Sequence, residues 1–313
     1  MMHRLFHLFS GLLTALAFAA PAIAEEPGGW GYLGWSSLIN NDKIGDDDDR
    51  WQTGGSSYSF LFGPAGLTEA PADWGRLIEL RVRSQAITPD DYSAPAAWDR
   101  RAAGVITTTL NTHFQNRGFE FSAGAGFALT GPQTGLIRLQ NFVHRLTPAI
   151  DPFVPAAVQA AQIGDAVFPT IQGEASRRFR LSDHAVLRPF VEAQAGVETF
   201  ARIGADLFIG PAFDGTVLVR DGTSGFAYRG FHGRARPGVS LVIGADTARV
   251  VSSALLPAAD GYRLTPLRHR ARAGVMIEGE RLSVFQGMAW LGPEFAAQPT
   301  GQVTGVVQIR FRF

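Results

Sequence analysis

The chain has 313 residues, 28 basic against 28 acidic side chains, and no cysteine. A formal net charge of zero argues against the basic footprint of a nucleic-acid binder, and without cysteine there are no disulfides to staple an exported fold. No stretch beyond the leader approaches the ~20 uninterrupted apolar residues of a membrane-crossing helix.

The N-terminus predicts export. His3 and Arg4 precede a greasy run from Leu12 to Ala20, and Ala22-Ile23-Ala24 offers a small-residue cleavage site. This is the three-part layout of a signal peptide, so residues 1–24 are set aside and 25–313 are read as one domain.

Along the mature chain, apolar and polar residues alternate with period two. Twelve strands are expected, near 31–39, 53–62, 77–86, 102–113, 118–128, 168–179, 187–198, 200–209, 237–247, 267–278, 281–291 and 302–313. Each is near the ~10 residues that cross a bilayer at a tilt. Ile78, Leu80 and Val82 oppose Glu79, Arg81 and Arg83; Leu187, Val191 and Ala193 oppose Arg188, Glu192 and Gln194. Side chains alternate faces along a strand, so each strand has one apolar and one polar face. The last strand is the clearest: Val303, Val307, Ile309, Phe311 and Phe313 share one parity, and Gln302, Thr304, Gln308, Arg310 and Arg312 the other. Ending on Phe313, it resembles the assembly signal of bacterial outer-membrane proteins. The fold expected is all-β: a single antiparallel transmembrane barrel, apolar toward lipid and polar toward the lumen, with its unpaired edges closed. An even strand count puts both termini on the periplasmic side. Arg81, Glu192 and Arg310 are expected to fill a narrow lumen, so the barrel should not be an open channel.

One stretch breaks the pattern. Leu139, Phe142, Val143 and Leu146 recur at helical spacing, which predicts a short helix near 138–147 before Pro148, Pro152 and Pro155 end it. A long excursion between strands belongs on the outer side of such a barrel.

Two places are chemically loaded. Asn40 to Gly54 links the first two strands with a run of aspartates, Asp46 to Asp49, and reads on composition as an acidic, solvated loop; oxygen-rich loops also suit hard cations such as calcium. The helical segment carries His144, a residue type more often packed or exposed than catalytic. Together the two resemble the lipid A 3'-O-deacylases of the outer membrane. Asn41-Asp42, then Asp49-Arg50-Trp51-Gln52-Thr53-Gly54, is similar to that family's first block. Gly131-Pro132, then Gln140-Asn141-Phe142-Val143-His144, is similar to its second.

The resemblance implies a calcium-dependent ester hydrolase acting on lipid A of outer-leaflet lipopolysaccharide, with its site at the outer rim between barrel wall and helical loop; a monomer is expected. Carried over, His144 is the general base that activates water, since an imidazole of ordinary pKa ~6.5 is largely neutral near pH 7. Asp42 holds the calcium ion, whose charge, with the Asn41 amide, stabilises the oxyanion. Thr53 and Gln140 line the site. The chain departs from the family in lacking a lysine after the third strand, between Ala86 and Tyr92, where only Arg100 and Arg101 follow. It also lacks the glutamate beyond the histidine, with Asp151 a loose substitute, and a later Gly-Trp-x-x-Gln run. The reading from another class is a non-catalytic barrel, structural or a small pore.

Overall fold

The computed structural model describes residues 29–91, 95–146, 153–231 and 236–311; the leader, Asp151 and Phe313 lie outside them. In chain order its strands are β1 (Trp30–Asn41), β2 (Trp51–Pro64), β3 (Ile78–Thr88), β4 (Ala103–Asn116), β5 (Phe119–Thr130), β6 (Ala166–Arg177), β7 (Phe179–Ser182), β8 (Ala185–Ala195), β9 (Glu198–Ile209), β10 (Leu218–Arg220), β11 (Ala227–Arg229), β12 (Gly238–Ser253), β13 (Arg268–Glu278), β14 (Leu282–Leu291) and β15 (Gln302–Phe311). β7 continues β6 after a break at Arg178, and both pair with β8. Setting aside the separate β10–β11 hairpin, the remaining segments form a closed antiparallel barrel of twelve strands. The seam closes where β1 meets β15, with Ile39, Asn40 and Asn41 opposite Val307, Val306 and Gly305. All twelve expected strands are present.

The period-two pattern determines the faces. Val167, Ile171, Ile203, Val239 and Ile277 are exposed on the outer wall, while Glu79, Arg81, Arg188, Asp206, Asp246, Arg272 and Arg310 are buried in the lumen. These inward charges are paired. Glu79 takes Arg81 at 2.6 Å and His113 at 2.7 Å, and Arg220 joins Asp206 at 2.9 Å to Glu174 at 2.7 Å. Removing one partner of such a pair leaves a buried charge and costs ~3–5 kcal/mol, so the pairs hold the interior in one arrangement.

The lumen holds more than wall charges. Between β9 and β12, at the end of the barrel where the described chain starts and stops, the backbone turns inward and β10 and β11 pair as a hairpin inside the barrel. Phe226, Tyr228 and Arg229 are fully buried there. Phe226 meets Phe285 edge-on at 5.1 Å, and a Cβ on Gly287 would lie 2.6 Å from the Phe226 ring, so the wall makes room for the plug with glycine. Asp221 at the tip accepts from Ser57 Oγ at 2.6 Å, and Thr223 Oγ1 accepts from Gln85 Nε2 at 2.9 Å. Gln85 lies three residues before the far end of β3, so the plug reaches nearly the whole height of the lumen. The expectation of a filled lumen holds; that a hairpin with an apolar cluster fills it, from the termini's side, was not expected.

At the far rim, the predicted helix is α1 (Leu136–Leu146), followed by a short α2 (Ala156–Ala160). Ile137 packs with Ala102, Val154, Val158 and the outward-facing Ala86. A Cβ on Gly104 of β4 would collide with the Thr134 hydroxyl and come within 3.2 Å of Leu136 Cβ. The helix therefore lies against the outer face of β3 and β4, on the lipid side of the wall.

Candidate active site

The site starts where β1 ends. Asn41 caps the 3-10 turn Asp42–Ile44, accepting from Lys43 N at 3.0 Å, and its Nδ2 donates to Thr53 O at 2.9 Å. One amide hydrogen is thus committed to the local chain, and an oxyanion role rests on the other. The loop is then clamped onto β15: Asp46 N donates to Val303 O at 3.2 Å and Val303 N to Asp46 Oδ2 at 2.9 Å.

The return strand carries an irregularity. Against β3 the register shifts between Trp51 and Gly54, and Trp51 has φ +49. A bulge re-aims neighbouring side chains. Here Gln52 reaches the lumen side, bonded to Gln302 and Glu294, whereas Thr53 reaches Asp42, Asp49 and Gln140.

Asp42 is fully buried, and its Oδ2 accepts from Arg50 N at 2.7 Å. Thr53 Oγ1 lies 3.4 Å from Asp42 Oδ1 and donates to Asp49 Oδ1. Asp49 in turn accepts from Gln140 Nε2 at 3.2 Å and faces His144 Nε2 at 3.4 Å. His144 is buried with Ile137 and Asn141 on one face of α1, and Asn141 ties the helix to the returning chain through both Val154 N and O. The five residues proposed from sequence, Asn41, Asp42, Thr53, Gln140 and His144, therefore meet in one cluster. The residue that links them is Asp49, which in the sequence stands out only as part of the loop motif.

Burial raises the Asp42 carboxyl to about 9, with the Asp49 and Asp46 carboxylates adding to it, against the hydrogen bonds from the Arg50 and Lys43 backbone. A positive charge beside Asp42 would relieve that penalty. Among the described residues no three His, Asp or Glu side chains form a ready metal cage. The donors present are hard oxygens, the Asp42 and Asp49 carboxylates on either side of the Thr53 hydroxyl, which is the chemistry calcium takes when backbone, water or substrate oxygens complete its shell.

The arginines following the third strand are engaged elsewhere. Arg100 is buried against Glu294, and Arg101 binds Asp260 at 2.8 Å and the Ala161 carbonyl at 2.6 Å. Arg50 is the guanidinium at the site's edge, stacked 4.6 Å over Trp51 and paired with Asp48 and Asp90 at 3.1 Å each.

No protein-family profile and no curated protein matches the chain. Among solved structures, LpxR from Salmonella typhimurium superposes with a TM-score of 0.71 at 16% identity, covering 89% of this chain and 99% of that one. A KdgM porin in complex with disordered oligogalacturonate (TM-score 0.41, 6% identity, 89% and 100% coverage) also aligns, as does the β-domain of the Bordetella autotransporter BrkA (0.39, 10%, 91% and 99%). The chain has the fold of LpxR, a closed twelve-stranded antiparallel barrel of outer-membrane type.

Proposed function

We propose that this protein is a calcium-dependent outer-membrane hydrolase that removes an ester-linked acyl chain from lipid A, at the 3'-O position by its motif resemblance. The observation that carries the reading is the path Asp42–Thr53–Asp49–His144, which joins the two ends of the motif set across about a hundred positions of chain. The shared fold with LpxR fits it. A pore is disfavoured by the hairpin inside the lumen.

Asp49 accepts hydrogen bonds, so the facing Nε2 of His144 carries the ring hydrogen and Nδ1 is the basic nitrogen. Nδ1 takes a proton from water as the water oxygen attacks the acyl carbonyl carbon. When the carbon–oxygen bond to the sugar breaks, the same proton passes to the departing alkoxide, giving a free fatty acid and a sugar hydroxyl. Asp49 holds the ring and balances the imidazolium charge; Gln140 and Thr53 hold Asp49. The second Asn41 amide hydrogen is offered to the carbonyl oxygen. Asp42 and Thr53 would hold the calcium ion, which when bound supplies positive charge to the developing oxyanion.

The test uses the purified barrel in detergent micelles with lipid A. Fatty acid should be released with calcium, stop on adding a chelator and resume when calcium is restored. No release in calcium overturns the proposal. Gly104→Val, which pushes the Thr134–Leu136 turn off the wall, should lower the rate by about 10-fold to 10²-fold through misplacement of His144, with the barrel folded by heat-modified gel mobility. An unchanged rate would mean that the seating of α1 on the wall does not matter to the site.

A further inference from the structure

Helix α1 has a face that the site does not use. On a wheel of about 100° per residue, Ile137, Gln140, Asn141 and His144 share one side, facing the wall and the cluster. Leu139, Phe142 and Leu146 share the side roughly opposite and are 52%, 46% and 50% exposed. Arg138 and Arg145 fall together between these two sides, both exposed. Three large apolar side chains on one stripe, bordered by arginines, is the pattern of a helix lying in a membrane interface.

The position of the helix agrees. It starts where Thr134 and Leu136 press on Gly104 of β4, and by His144 it has reached Asp49 and Thr53 beside β2. Eleven residues of helix span ~16 Å, enough to pass over neighbouring strands about 4.8 Å apart. α1 therefore runs around the outside of the wall near the rim. The outer faces of β5 and β6 expose Phe127, Val167 and Ile171 in the same way.

We infer that α1 is an interfacial helix: Leu139, Phe142 and Leu146 sit among the acyl chains of the outer leaflet, and Arg138 and Arg145 bind the phosphates of anionic lipid headgroups. Under the proposed function, which this second step rests on, an acyl chain reaches His144 sideways from the leaflet rather than through the plugged lumen.

The chain contains no cysteine, so single nitroxide labels can be placed without background. Leu139→Cys, Phe142→Cys and Leu146→Cys would be labelled in proteoliposomes of phosphatidylethanolamine and phosphatidylglycerol, and collisions with oxygen compared with those of a water-soluble nickel chelate. Ile171→Cys on the lipid face and Ala259→Cys on an exposed rim turn bracket the scale. The oxygen-to-nickel ratio at the three stripe positions should approach Ile171→Cys and exceed Ala259→Cys by roughly fivefold, with Arg138→Cys and Arg145→Cys in between. Stripe ratios as low as Ala259→Cys would overturn the inference, and so would labels shielded from both reagents, which would mean that protein covers the stripe. In vesicles without phosphatidylglycerol the Phe142→Cys ratio should fall; no change would overturn the role of the arginines. None of these readings depends on acyl release, so an inert protein with its stripe in lipid would count against the proposed function and not against the helix.

Discussion

His144→Ala is expected to lower acyl release by about 10²–10⁴-fold, the range that a positioned general base supplies, with KM little changed. The barrel should be unaffected. His144 sits on a helix held to the wall by Ile137 and to the returning chain by Asn141, and the barrel's own ladders do not include it. Asp49→Asn separates positioning from metal binding. The amide still offers an oxygen to Nε2 but removes the charge that balances the imidazolium, so kcat should fall by about 10-fold or more while KM holds. If the loss is instead recovered by raising calcium, Asp49 is a metal ligand and not the orienting partner. Initial rates from mass spectrometry of released fatty acid decide between them. An unimpaired His144→Ala enzyme would remove the proposed base.

Deleting the hairpin should convert a closed barrel into a conducting one. The intact protein is expected to show no steady conductance in planar bilayers, because the 218–229 hairpin runs up the lumen to Gln85 and its Arg220 and Arg229 lock onto Glu174, Asp206 and Glu278. Replacing residues 216–230 by a short Gly-Ser link removes the plug and leaves those acids in a water-filled bore. They are then solvated rather than buried and unpaired, so the strand ladder should survive. Steps of current should appear. Conductance by the intact protein would revive the pore reading; a silent deletion variant would show that the wall charges alone close the lumen.

Much of this architecture is legible in the residues, for a physical reason. Lipid on one side and a polar lumen on the other force strict alternation, so β15 announces itself through Val303, Val307, Ile309 and Phe311 against Gln302, Thr304, Gln308 and Arg310. The plug carries no such mark. Its strands are three residues each, too short to show a period, and Phe226 and Tyr228 are buried because they face the inside of the barrel.

The site was legible as a set of residues and not as a geometry. Asp46, Asp47, Asp48 and Asp49 are identical in sequence, yet Asp46 clamps β15, Asp47 pairs with Lys43, Asp48 pairs with Arg50, and Asp49 faces His144. Which carboxylate goes where is set by the loop path, including the positive φ of Asp47 and Trp51, and no composition rule reaches that. Asn41 shows the converse. Its motif position suggested an oxyanion contact, while its first structural task is to cap the turn that presents Asp42.

The most direct measurement is the mass spectrum of lipid A from cells expressing this protein, beside cells expressing His144→Ala and Asp42→Ala. Lipid A lighter by one ester-linked acyl chain is expected with the wild type alone. Lipid A of unchanged mass from calcium-replete cells whose outer membrane contains the folded wild-type barrel would contradict it.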